Sequence, residues 1–250
     1  MTTVFYRDKS TPLPEENSTV AHYTITSFID ETRSSILFLG FDQTINQKVS
    51  QSIDHIKYQD EVSIDYHNEY HNIPVLSNQV VLKFIKVTEL SEKATESEIN
   101  ISRFLSSFHH PHIINIFEDF SYQPYRVLSM EFAPFGSLKD LYDPTRTFGL
   151  NEDTVLTITF QILEALEFMH RNNIWHRDIK LENILVFDNN AKFPYVKISD
   201  FGLAVNVQNN HPNDRVGSLG YVAPEVVKGN QCMFCFGYIF IIFFLDISNI

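Results

Sequence analysis

Residues 175–183 read "WHRDIKLEN", and within six residues they set a carboxylate (Asp178), an ammonium (Lys180) and an amide (Asn183). That trio suits the movement of a phosphoryl group, which requires little covalent work from a protein. The group has to be aligned, its charge neutralised and the attacking hydroxyl oriented. The flanking patterns predict where the stretch sits. Upstream, Asn151 can cap a helix, Glu152 and Asp153 suit its positive end, and Val155, Ile158, Ile162, Leu166 and Met169 line one face. Downstream, "NILVF" and "YVKIS" read as a short hairpin that leads into "DFG" at 200–202. Asp178, Asn183 and Asp200 therefore stand among apolar strand residues, where a carboxylate without a partner is costly.

Outward from there, the first half of the chain alternates like strands. "HYTITSFI", "SSILFLGF", "QVVLKFIKV" and "YRVLSMEF" each carry the period and the β-branched or aromatic content of a strand. Between the third and fourth, a helix is predicted from about Ser91 to Phe108, with Ile101, Phe104, Leu105 and Phe108 as its buried stripe. Pro111 in "HHPHII" stops it. Residues 1–20 read as a loose tail, and the polar stretch 46–78 as an exposed insertion. His67 and His71, like the group His109, His110 and His112, are read as loop residues rather than metal ligands. Strands, one helix, then a mostly helical half with a small hairpin is the order of an α+β protein of two lobes.

Composition narrows the function. Hydrophobic residues make up 44% of the 250, enough for a folded core, and the formal charge of −12 argues against nucleic acid or an anionic membrane as partner. Cys232 and Cys235 form a lone C-x-x-C with no second ligand pair, and no signal peptide opens the chain, so a cytoplasmic or nuclear setting is expected. The uncharged run 232–245 has 14 residues, short of the ~20 a membrane span needs.

Four motifs in order, "VVLK" at 80–83, "HRDIKLEN" at 176–183, "DFG" at 200–202 and "GYVAPE" at 220–225, resemble the catalytic domain of eukaryotic-type serine/threonine protein kinases. The resemblance runs over about residues 21–230. It implies a bilobal fold, with an N-lobe sheet and its main helix over 21–131 and a partial, mostly helical C-lobe over 134–230, followed by the apolar tail 231–250. It implies ATP and Mg²⁺ as cofactors and a protein bearing Ser or Thr as substrate. By position, Asp178 would be the catalytic base and Lys180 would steady the transferring group. Asn183 and Asp200 would hold Mg²⁺. Lys83 would pair with the α- and β-phosphates, and Glu98 is the carboxylate expected to meet it. Met130 would be the gatekeeper of a hinge whose Glu131 and Ala133 backbone groups bind adenine, between Ile36, Val81 and Leu185. Ser218 and Glu225 belong to the activation segment. There Asp214 would supply a fixed negative charge where many members carry a phosphate read by Arg177.

The departures from the pattern matter as much. The three positions of the family's glycine-rich loop hold Asp30, Thr32 and Ser35, which predicts weaker ATP binding. After "APEVVKGN" the text turns to "QCMFCFGYIFIIFFLDISNI", read as a domain truncated after its APE motif, with Glu225 deprived of its arginine partner. The leading expectation is an ATP-dependent serine/threonine kinase, impaired in this chain; the alternative is an inactive kinase-like fragment that acts as a binding module.

Overall fold

The computed structural model describes residues 13–32, 34–44, 78–141, 152–189, 194–208 and 217–218. Residues 1–12, the stretch 45–77, Asn151, Asp214, Glu225 and the apolar tail, about which the sequence raises expectations, lie outside them. The chain divides into two compact units, Met1–Lys86 with Phe120–Phe132 and Val87–Asp119 with Ala133–Ile250. This is the α+β, bilobal architecture expected.

The first unit is built on a sheet of order β1-β2-β3-β4-β6-β5. Its strands are β1 (Thr19–Val20), β2 (Tyr23–Glu31), β3 (Ser35–Asp42), β4 (Gln79–Lys86), β5 (Ile116–Tyr122) and β6 (Tyr125–Glu131). The four strands predicted from alternation are β2, β3, β4 and β6. Successive side chains of a strand face opposite sides, so Ile36 and Phe38 of β3 join Val80, Leu82 and Phe84 of β4 in one buried cluster with Tyr23, Ile25 and Val127. Phe38 meets Phe84 edge to face at 5.4 Å between ring centres, and Phe84 meets Tyr122 likewise at 5.6 Å. The other face of β4 carries Val81 and Lys83.

The second unit holds α1 (Glu92–Ser106), α2 (Leu138–Leu141), α3 (Glu152–Arg171), and the pairs β7 (Ile174–Trp175) with β10 (Val205–Asn206) and β8 (Ile184–Asp188) with β9 (Tyr195–Ile198). All five residues expected on the inner face of α3 are buried, and the helix packs against β7 and β9. The inner face of α1 corrects the sequence reading. Ile101 and Leu105 are buried, but Phe104 and Phe108 are 43% and 50% exposed, and the true stripe is Thr95, Glu98, Ile99, Ser102, Leu105 and Ser106. Four of those six residues are polar, so a hydrophobic count rotated the helix by about one position. Phe104 instead meets Phe108 edge to face, and Phe108 meets Phe168 of α3 at 5.2 Å.

Short hydrogen bonds tie the second unit together around the β8–β9 hairpin. Ile198 accepts from Ile114 N and donates to His112 O, both at 2.9 Å. Residues 133–137 are secured to β8, since Val186 N donates to Gly136 O at 2.8 Å. Ser137 and Asp140 then cap α2 reciprocally. Ser137 N and Oγ donate to Asp140 Oδ2 at 2.8 and 2.7 Å, which holds that carboxyl below its usual pKa. Gly136 must be glycine here, with φ of +69° and a Cβ position only 2.7 Å from Asp140 Oδ2.

Candidate active site

The motif 175–183 is anchored at its start by pairing of Trp175 with Val205 and at its end by a single 3-10 turn, Leu181–Asn183, that runs into β8. Among the described residues of the second unit, His109, Asn173, Arg177 and Asp200 take left-handed backbone, and Arg177 (φ +67°) and Asp200 (φ +63°) lie in the two motifs. Such conformations cost of order 1–3 kcal/mol each and persist where surrounding structure compels them, often at functional sites. At Arg177 the compulsion is visible: its Nε donates to Leu203 O at 2.7 Å, which joins this motif to the segment after "DFG".

His176 is the hub between the two motifs. Its ring is 1% exposed; Asp178 N donates to its Nδ1 at 3.2 Å, and its Nε2 bonds Ser199 O at 3.0 Å. Phe201 of "DFG" lies 5.5 Å from it, ring centre to ring centre. The two bonds assign a neutral imidazole with its proton on Nε2. Burial pushes its pKa below 6.5, against the opposing pull of Asp200 and Asp178. Above pH 6.5 neither folded nor unfolded chain protonates this ring. As pH falls below 6.5 the unfolded chain gains a proton that the folded one refuses, so stability declines. Burial also lowers His110 and His170, which act in the same direction. The melting temperature should therefore fall between pH 7 and 5, and His176→Gln should flatten that fall. An unchanged slope in the variant would remove His176 from the account.

Asp178, 8% exposed, has both carboxylate oxygens held. Oδ2 receives Lys180 Nζ at 2.7 Å and Asn183 Nδ2 at 3.2 Å; Asn183 Nδ2 also donates to the Asp178 carbonyl at 2.8 Å. Oδ1 receives Ser218 N at 3.0 Å and Ser218 Oγ at 2.7 Å, and Lys180 Nζ reaches the same Oγ at 3.0 Å. The residues named in the sequence as base and charge partner are thus in contact. The direct engagement of Ser218 was not foreseen, because a separation of 40 positions along the chain hides the contact from any local pattern.

Asn183 links to Asp200 through Ser199, whose N and Oγ donate to Asn183 O at 2.8 and 3.1 Å. Glu98, on the buried face of α1, is brought to the same region. A Cβ placed on Gly202 would lie 3.3 Å from Glu98 Oε2 and 3.3 Å from Asp200 Oδ1. Glycine there leaves room for two carboxylates. Ile101 is buried one helical turn away.

The nucleotide residues expected in the first unit separate into two faces. Val81 pairs with Leu39 and Met130, and Lys83 pairs with Leu37 and Leu128, so Val81, Lys83 and Met130 share one side of the sheet. Ile36 does not belong with them. It pairs with Phe84 and lies in the opposite, sealed cluster, whereas half-buried Leu37 faces the Lys83 side. Strand alternation measured back from Lys83 could have found Leu37. Glu131 ends β6. In the second unit, Ala133 is 7% exposed, accepts from Gly136 N at 3.2 Å, and starts the turn that pairs Ser137 with Leu185.

Chemically, the second unit offers a carboxylate with an ammonium and an amide on it, a second carboxylate at Asp200, and the oxygen of an amide whose nitrogen is committed to Asp178. A carboxylate and an amide oxygen are hard donors that fit Mg²⁺, which dehydrates reluctantly and takes one or two protein ligands beside phosphate oxygens and water. Among the described residues no cluster of three or more His, Cys, Asp or Glu could hold a metal ion. Nor, among them, is any helix long and apolar enough to cross a membrane.

Comparison with known proteins adds the following. The family described as the protein kinase domain matches residues 75–239. The chain is 38% identical over 154 residues to the serine/threonine-protein kinase SBK1 of Danio rerio, covering 61% of this chain and 38% of that protein. It is 36% identical over 154 residues to SBK1 of Mus musculus, covering 61% and 35%. Against the carbon catabolite-derepressing protein kinase of Secale cereale it is 37% identical over 146 residues, covering 58% and 28%. The chain thus spans 38% or less of the length of these relatives.

Proposed function

The chain belongs to the protein kinase domain family, and from that premise we propose that it transfers the γ-phosphoryl group of ATP to a serine or threonine hydroxyl of a protein. The observation that carries the reading is the double hold on Asp178, with Lys180 and Asn183 on one oxygen and Ser218 on the other. In this reading the substrate hydroxyl gives its proton to the Asp178 carboxylate as its oxygen attacks. Lys180 Nζ, already steadied by Ser218 Oγ, shields the charge that builds on the transferring group. Asn183 and Asp200 would hold Mg²⁺, which supplies charge neutralisation and a template for the phosphate oxygens. Lys83 is assigned to the phosphates by its motif; Val81, Met130 and Leu37 share its sheet face and would meet the base.

Ser218 is here a positioning residue. Its hydroxyl ties Asp178 to Lys180, and a hydrogen bond to a charged group is worth about 1.5–3 kcal/mol. Ser218→Ala should lower kcat by about tenfold or more, with the KM for ATP little changed and Ser218→Thr largely active. The reading itself is tested by incubating the chain with γ-labelled ATP, Mg²⁺ and a panel of serine- and threonine-rich proteins. Acid-stable label on serine or threonine is the expected result. A folded, soluble chain that transfers none would overturn it.

A further inference from the structure

The turn between β2 and β3 carries an arrangement that bears on how nucleotide is held, given the kinase reading above. Its described backbone amides at 31, 32, 34 and 35 end inside the hairpin. Thr32 Oγ1 accepts from Ser35 N at 3.1 Å and more weakly from Ser34 N at 3.4 Å, and lies 2.9 Å from Ser35 Oγ. Thr32 N donates to Ser35 O at 2.8 Å, and Glu31 N donates to the Asp30 carboxylate at 2.8 Å. The described amides at 31, 32, 34 and 35 are thus each engaged by an oxygen of their own turn.

A backbone N–H is a single donor, and a turn binds an anion only when successive N–H groups point outward at it. In this turn a neutral hydroxyl already occupies two of those donors, the local side-chain competition that threonine favours. Asp30 adds an exposed carboxylate, and like charge within a few ångströms of a phosphate is repulsive. Phosphate oxygens would have to displace Thr32 Oγ1 before they gained the stronger, charge-assisted bonds.

We propose that Thr32 is a built-in plug of this turn: its hydroxyl takes the amides that would otherwise hold a nucleoside triphosphate. The Ser34 and Ser35 amides then contribute no donor to the phosphates, and selectivity for ATP over adenosine rests on groups outside them. The threonine side chain sets triphosphate affinity while leaving recognition of the base untouched.

Binding of Mg·ATP and of adenosine to the whole chain, followed by calorimetry, tests this on the wild type, on Thr32→Val, which removes the hydroxyl but keeps the shape, and on Thr32→Gly. Mg·ATP should bind about three- to tenfold more tightly to the variants, the return on freeing one or two amides for a charged acceptor, with adenosine affinity unchanged. Equal Mg·ATP affinity in wild type and both variants overturns the plug while leaving the kinase reading intact. No nucleotide binding by any of the three chains overturns both. Hydrogen exchange supplies a measure that needs no variant. The Ser34 and Ser35 amides of the wild type should be protected to the same degree with and without Mg·ATP, and a rise in protection on adding it would refute the plug.

Discussion

Asp178→Asn is expected to reduce phosphoryl transfer by about a thousandfold, within the range that a positioned general base contributes. The substitution keeps shape and burial but turns one carboxylate oxygen into a donor. Whichever way the amide sits, that donor faces an N–H donor: Lys180 Nζ and Asn183 Nδ2 on one side, or Ser218 N on the other. On the proposed reading the proton acceptor is lost and the bonds between Asp178 and Lys180 are disturbed together, so kcat should fall while nucleotide affinity changes little. Single-turnover transfer, with the melting temperature recorded in parallel, makes the distinction. A variant that retains more than a tenth of wild-type transfer would show that Asp178 is not the base.

Ile198→Ala should be the most damaging truncation of the second unit, at about 3 kcal/mol, since deletion of a buried isoleucine to alanine costs about 2–5 kcal/mol. Ile198 is fully buried, opposes Ile184 across the β8–β9 ladder and makes a parallel bridge to Ile113. Its backbone is bonded to both His112 and Ile114, so the cavity opens where three segments meet. Ser199 and Asp200 follow directly, and a loosened β9 would release the bonds from Ser199 to Asn183 and His176. Urea unfolding should show the loss, with Ile198→Val costing only about 1 kcal/mol. A loss below 1 kcal/mol for the alanine variant would mean that the hairpin is not the keystone.

The two results would differ in kind. On the proposed reading, Asp178→Asn would remove chemistry from a standing fold, whereas Ile198→Ala would remove the support beneath it. Measuring transfer and stability on both variants separates the roles.

Much of this molecule was legible in its residues because the signals were local. Period-two alternation located β2, β3, β4 and β6, and the i, i+3, i+4 spacing of Val155, Ile158, Ile162, Leu166 and Met169 located the inner face of α3. Short motifs named Asp178, Lys180, Asn183 and Asp200 as a chemical set. Where the reading went wrong, the physics was not hydrophobic. The face of α1 was misassigned because Thr95, Glu98, Ser102 and Ser106 are buried polar groups that an apolar pattern passes over. The sequence names Ile36 beside the base, but only register against Lys83 tells that Leu37, the next apolar residue, takes the Lys83 side of the sheet.

The amino-acid order by itself determined which residues could do the chemistry and which segments would become strands or helices, since both follow from side-chain type and spacing over a few positions. Only the tertiary structure decided that Ser218 grips Asp178, that His176 joins the two motifs, that Glu98 lies beside Gly202 and that Thr32 closes its own turn. Those are hydrogen bonds and close approaches of fixed geometry, most of them across tens of residues. Such a contact exists only once the chain has been folded so that donor and acceptor lie about 3 Å apart.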